Sequence, residues 1–202
     1  SWVRSMTSYP LSVMLSVYFL TISSFTAMTA VLALFFERSF GMDAKDMAVL
    51  FTLSGGTTVV VRGAVLGLLV KRLGESGTVR VGICSLLAAL VSLPLLPSQG
   101  WTMAVVGLYA FGAGTLFPAL ASLVSRATDR ASQGSILGGS QVVGGLGRVI
   151  GPLWAGFFFQ AIGIATPFMV GAVLVVIALL VAQRIPARAV PKTEAPETVA
   201  AN

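Results

Sequence analysis

The sequence predicts an all-α membrane protein, a bundle of six transmembrane helices. Three observations carry that reading. Of 202 residues, 56% are hydrophobic and 10% charged, with a mean hydropathy of +0.93, where an ordinary soluble domain has about 25% charged residues. So few charges cannot cover a water-exposed surface, and the bulk of the chain must face lipid. The apolar residues fall into runs near the roughly 20 residues that cross a hydrocarbon core, joined by short polar connectors. Barrel strands would instead be about 10 residues long and alternate in polarity.

Residues 1–9 form a polar interfacial linker, with Trp2, Arg4 and Tyr9 of the kinds that anchor at headgroups. The first span covers about 10–36, and Pro10 suits a helix start. A signal peptide is rejected, because the apolar run exceeds the 7–15 residues of such a segment and further spans follow. Asp43, in a connector with charges of both signs, is placed to cap the next helix. The second span, about 47–70, is interrupted by Gly55-Gly56 and Arg62, and 71–80 reads as a basic turn. The third span, about 81–96, closes at Pro94 and Pro97. Trp101 begins the fourth, about 101–124, and Arg126, Asp129 and Arg130 mark another charged loop. The fifth covers about 134–160 and the sixth about 166–182, which completes a bundle over 10–183. Residues 184–202, with Pro186, Pro191 and Pro196 among small and charged residues, cannot bury a core and read as a disordered tail.

Charge placement predicts orientation. Arg4, Lys71, Arg72, Arg80, Arg126, Arg130, Arg184, Arg188 and Lys192 fall on the side that holds both termini, and only Arg38 and Lys45 on the other. The positive-inside bias puts both termini in the cytoplasm of a multi-pass cell-membrane protein. It also accounts for the net charge of +6 without a nucleic-acid partner.

Absences exclude chemistry. There is no histidine, which removes Ser-His-Asp and Cys-His catalysis, histidine metal sites and imidazole relays. No acid, base and nucleophile share a depth, so no enzyme, metal or cofactor is expected. The single cysteine, Cys84, lacks a disulfide partner and is expected to be a small buried hydrophobe. The chain begins at Ser1 rather than methionine and is expected to be a fragment or a trimmed product.

The fifth span organises the rest. It is crowded with glycine, carries Arg148 in its middle and contains Gly151-Pro152. Glycine costs about 1 kcal/mol relative to alanine in a soluble helix, but in a membrane it lets backbones approach closely. Gly134 and Gly138, then Gly147 and Gly151, lie one turn apart, as that packing requires. Gly138, Gln141, Gly145, Arg148 and Pro152 share one face, and its polar side chains should turn it away from lipid.

Three motifs carry a family resemblance. Ahead of the basic turn, Gly67, Leu69, Arg72 and Gly74 follow the loop pattern G-x-L-a-D-R-x-G, with Arg62 a few residues earlier and Lys71 in place of the aspartate. In the fifth span, Gly147, Gly151, Pro152 and Gly156 follow G-x-x-x-G-P-x-x-G-G, with Ala155 in place of one glycine. Gly112-Ala113-Gly114 and Phe117-Pro118-Ala119 complete the set in the fourth. Together they resemble the major facilitator superfamily over nearly the whole chain. The resemblance implies the C-terminal six-helix half of a twelve-helix transporter, partnered by an N-terminal half in the same or a separate chain. Lys71 puts the loop signature's usual interhelix charge pairing in doubt.

Each candidate has a plainer reading beside it. Arg148 sits where a charge costs at least about 2.5–3.5 kcal/mol, so it should face water, an acid or a carbonyl. It contacts solute, pairs with the other half, or ties two helices together. Gln141 on the same face bonds a solute or bridges helices. Tyr18 and Thr21, continued by Phe25 and Met28, line a cavity or simply pack. Arg62, Gly67, Lys71, Arg72, Gly74, Gly147, Gly151, Pro152 and Gly156 are the gating or structural candidates. No acid lies inside a predicted span, so a proton-carrying carboxylate is expected outside this half. The leading expectation is half of a secondary transporter of small solutes, working by alternating access, with efflux by antiport inferred from the glycine-proline pattern. Uptake by symport, and a non-transporting scaffold that kept the fold, stay open.

Overall fold

The computed structural model describes residues 9–129 and 131–185. The predicted linker, apart from Tyr9, lies outside them, as do Arg130 and the tail beyond Ile185. The described residues are helical, without a strand. They form α1 (Leu11–Phe40), α2 (Ala44–Val60), a π-helical turn (Val61–Val65), α3 (Leu66–Ser92), α4 (Thr102–Arg126), α5 (Gln133–Ala161) and α6 (Thr166–Ala182).

Local chemistry sets the joints. Gly41, left-handed at φ 66°, closes α1 by donating to the Glu37 carbonyl. Asp43 caps α2 as expected: its carboxylate accepts from the Lys45 and Asp46 amides, and Asp46 reaches back to the Asp43 amide. The basic turn expected over 71–80 is a tight kink rather than an open loop. Helix runs from Ala44 to Leu95, but Gly74, at φ 71° and ψ 175°, leaves helical geometry and divides it into two helices. That conformation is open to glycine and strained for other residues. Its two arms account for the second and third predicted spans. Counted as continuous helices among the described residues, four are long and apolar enough to cross a membrane, and Thr166–Ala182 is a shorter apolar helix.

The main packing pairs repeat between the first three helices and the last three. α1 lies against α5 and α6, α4 lies against α2 and α3, and α3 lies against α6. Exchanging α1 with α4, α2 with α5 and α3 with α6 maps this set of pairs onto itself. Contacts at the helix ends fix the polarity. The Tyr9 hydroxyl donates to the Arg184 carbonyl (2.9 Å), joining the start of α1 to the end of α6. At the opposite end, the Arg38 guanidinium lies 4.9 Å from the centre of the Phe159 ring. Each triplet has three helices, so the second runs opposite to the first. α2 and α5 are left on the flanks, with much of their surface uncovered.

The core is apolar and dense around α1, α3 and α4, where Val17, Phe36, Ile83, Leu86, Leu90 and Leu116 are fully buried. Helices pack at backbone distance where glycine permits. A Cβ on Gly112 would lie 2.9 Å from the Leu86 amide and 3.0 Å from the Gly82 carbonyl. Cys84 is exposed rather than buried. Its neighbour Ile83 takes the face toward the core, which turns the thiol outward, a position suited to lipid.

Candidate functional site

α1 and α5 meet along the glycines of α5. A Cβ on Gly147 would come within 3.3 Å of the Phe19 carbonyl, and one on Gly151 would collide with the Ser23 carbonyl. Gly134, Gly138 and Gly156 have nothing within 4 Å. Of the two glycine pairs read from the sequence, only Gly147 and Gly151 touch a neighbouring helix. Polar ties reinforce this seam: Trp154 Nε1 donates to Ser23 Oγ (3.1 Å), and Thr26 Oγ1 to the Gly147 carbonyl (3.3 Å). The sequence reading missed both, because neither the tryptophan nor the hydroxyls stand out from the ordinary content of a membrane helix.

Turning α5 this way leaves Gln141 and Arg148 on its uncovered side. Arg148 Nη2 donates to the Tyr18 hydroxyl at 3.3 Å. Tyr18 packs over Gly144 and meets Phe117 of α4 edge to face, with ring centres 6.1 Å apart. Tyr18, Phe117, Ser140 and Gln141 therefore line one cavity between α1, α4 and α5, with a volume of about 80 Å³. Thr21 does not join it. It is buried, and its hydroxyl donates to the Val17 carbonyl of its own helix at 2.7 Å. Met28 is core as well.

A second cavity of about 90 Å³ lies farther along α1, lined by Phe25, Thr29, Leu50, Ser54 and Tyr109 among others. The partition between the two is aromatic. Phe117 meets Phe25 edge to face at 5.3 Å, and Phe25 stacks on Tyr109 at 4.8 Å with the rings within 3° of parallel. The Tyr109 hydroxyl is held by the Phe25 carbonyl (3.0 Å) and by Thr29 Oγ1 (2.6 Å).

The gating candidates separate. Arg62 is exposed within the π turn, while its neighbour Val61 is buried with its side chain toward Gly114 of α4. Such turns insert one extra residue and recur at functional positions, and residue type alone does not reveal them. Gly67, Lys71 and Arg72 are exposed, and Gly74 is the break. α5 continues as helix through Pro152.

One charge pairing was not foreseen. Glu75, directly after Gly74 and 11% exposed, takes Arg126 Nε at 2.9 Å and Ser122 Oγ at 2.5 Å on the same carboxylate oxygen. This acid lies four residues after Lys71, past the Gly74 break, and it joins α3 to the end of α4. Among the described residues no group of acids, cysteines or histidines could hold a metal.

The sequence profile of the Major Facilitator Superfamily matches residues 4–201. The chain belongs to the Major Facilitator Superfamily. Among its relatives in that superfamily is Multidrug resistance protein 2 of Bacillus subtilis (strain 168), 28% identical over 156 residues, which make up 76% of this chain and 38% of that protein. Hippocampus abundant transcript-like protein 1 of Homo sapiens is 27% identical over 175 residues, covering 76% of this chain and 34% of that protein. The crystal structure of the human organic anion transporter MFSD10 superposes with a TM-score of 0.79 at 23% identity, covering 88% of this chain and 42% of that one. A peptide transporter, POT, superposes with a TM-score of 0.74 at 20% identity, over 88% of this chain and 39% of that one. The major facilitator fold is therefore shared across cargoes of unlike chemistry. The chain spans well under half the length of each of these proteins.

Proposed function

We propose that this chain is the C-terminal six-helix half of a major facilitator transporter, in which the two arms of the 44–95 run, before and after the Gly74 break inside α3, cross the membrane separately. It moves a small solute across the cell membrane by alternating access, with both termini cytoplasmic, and exports by antiport. The observation that carries the reading is the face formed by Tyr18, Gln141 and Arg148. A mid-span arginine and an exposed amide are too expensive to present to lipid, so they line a water-filled groove. Its cavity of about 80 Å³ is small beside the roughly 300–1,000 Å³ of a ligand pocket. The remaining wall comes from an N-terminal half, seated against the uncovered flanks of α2 and α5, and the two halves rock about the site. Efflux draws support from the Bacillus multidrug resistance relative and from the Gly147–Gly156 pattern. No enzymatic step is assigned to the chain.

Accessibility tests the groove. In the complete protein, with the native thiol removed by Cys84→Ser, a Gln141→Cys thiol should react with a membrane-impermeant reagent and be protected by transported solute. A thiol that stays occluded in every condition favours the scaffold reading. Pro152 tests gating, since proline removes one backbone hydrogen bond from α5 and gives the helix a place to bend. Pro152→Ala should lower transport several-fold while binding is retained, measured by initial rates and equilibrium binding; unchanged rates remove the hinge.

A further inference from the structure

We propose that the Arg148 site selects an organic anion: a solute with a carboxylate, sulfonate or phosphate-type head on a planar apolar body. This rests on the transport reading and specifies what is carried. Arg148 lies exposed in mid-helix, and its hydrogen bond among the described residues goes to a neutral group, the Tyr18 hydroxyl. The described carboxylates are placed elsewhere. Glu75 is held by Arg126 and Ser122 at one end of the bundle. Asp129 lies in the joint between α4 and α5, where the Ser132 hydroxyl donates to it at 3.3 Å. Glu37, Asp43 and Asp46 lie around the Gly41 joint at the other end, where Asp43 and Asp46 cap α2.

Arg62 shares this condition. It is exposed in the π turn and has no ion pair among the described residues. α2 and α5 hold matching places in the set of helix pairs, and Arg62, in the turn that ends α2, and Arg148 on α5 each lack a counter-charge among the described residues. Measured from the end marked by Gly74 and Gln133, Arg62 lies about 18 Å in and Arg148 about 22 Å, at 1.5 Å per residue. Two cations at nearly one depth, with no carboxylate between them among the described residues, draw in an anion and repel a cation.

The surroundings suit the rest of such a solute. A guanidinium offers a planar fork that matches carboxylate or phosphate oxygens in pairs, and the Gln141 amide supplies a further donor on the same face. Tyr18 and Phe117, with ring planes 74° apart, give a flat body an apolar wall. A cationic solute would find ring faces and neutral oxygens here, beside the like charge of Arg148.

The test uses the complete protein in proteoliposomes and two dyes on one xanthene skeleton, anionic fluorescein and cationic rhodamine 6G. Fluorescein should be carried in preference to rhodamine. Arg148→Gln should lower fluorescein flux about 10- to 100-fold, the range for losing a hydrogen bond to a charged group, while Arg148→Lys keeps most of it. Thermal melts of each variant separate loss of recognition from loss of fold. Rhodamine carried as fast as fluorescein, or fluorescein flux indifferent to Arg148→Gln, overturns the proposal. So does equal loss of both dyes in Arg148→Gln and Arg148→Lys, which would make Arg148 a structural tie. If neither dye moves while the Gln141→Cys thiol remains reactive, the anion assignment falls and the transport reading stands. If that thiol is occluded, the transport reading falls as well.

Discussion

Gly151→Val should strongly destabilise the bundle. The added Cβ would collide with the Ser23 carbonyl and lie 3.1 Å from the Ala27 amide, both on the backbone of α1. A flexible side chain could swing aside, but a helix backbone cannot move without losing its own ladder. The penalty is set at about 3 kcal/mol, the upper end of ordinary overpacking, against a total stability of about 5–15 kcal/mol. The readout is thermal unfolding and size-exclusion behaviour of the detergent-solubilised protein, with a large fall in melting temperature or outright aggregation expected. Gly138→Val is the control. That position has nothing within 4 Å, so its effect should stay within about 0.5 kcal/mol, as for an open surface site. Equal behaviour of the two variants would contradict the α1–α5 seam.

Glu75→Ala should be the most damaging change of a charged residue at the bundle ends. Its carboxylate is 11% exposed and is shared by Arg126 and Ser122. Arg126 is 67% exposed, so water screens much of that attraction, and the pair alone is worth at most about 1 kcal/mol. The hydrogen bond from Ser122 adds to this, and about 1–2 kcal/mol is expected in total. A double-mutant cycle with Arg126→Ala and Ser122→Ala, read by thermal unfolding, apportions it. Lys71→Ala, at an exposed position, should be near neutral. If Lys71→Ala proves as costly as Glu75→Ala, the end of α4 is not held by Glu75.

These two cases show where sequence was legible and where it stopped. Composition and run length pointed to membrane helices, and Asp43 declared its cap because the capping chemistry is local. Gly134/Gly138 and Gly147/Gly151 are the same pattern on paper. Only the second pair faces a partner, and partners belong to the tertiary arrangement. Charge density over 71–80 mimicked a loop, whereas one glycine in an extended, positive-φ conformation was enough to turn the chain. That compression hid Glu75, whose value lies in reaching a helix 47 residues away. At the site, Tyr18 and Gln141 line one cavity, and Arg148 reaches it only through its hydrogen bond to the Tyr18 hydroxyl. Thr21 misled because a hydroxyl on the right face satisfied itself on its own helix, and Cys84 because apolar surroundings in sequence include lipid.

The crossed pairing of the two triplets also dictates a schedule for biosynthesis. α1 finds its main neighbours in α5 and α6, not in α2 or α3. It leaves the ribosome well before them, with Gly147 and Gly151 still untranslated. At about 5–20 residues per second, the interval from the end of α1 at Phe40 to the end of α5 at Ala161 is roughly 6–24 s. Through that time α1 must wait beside the insertion machinery or in lipid, its groove for α5 unfilled. A nascent chain halted after α4 would therefore hold α1 unpaired, and quality control could recognise it by that exposed seam.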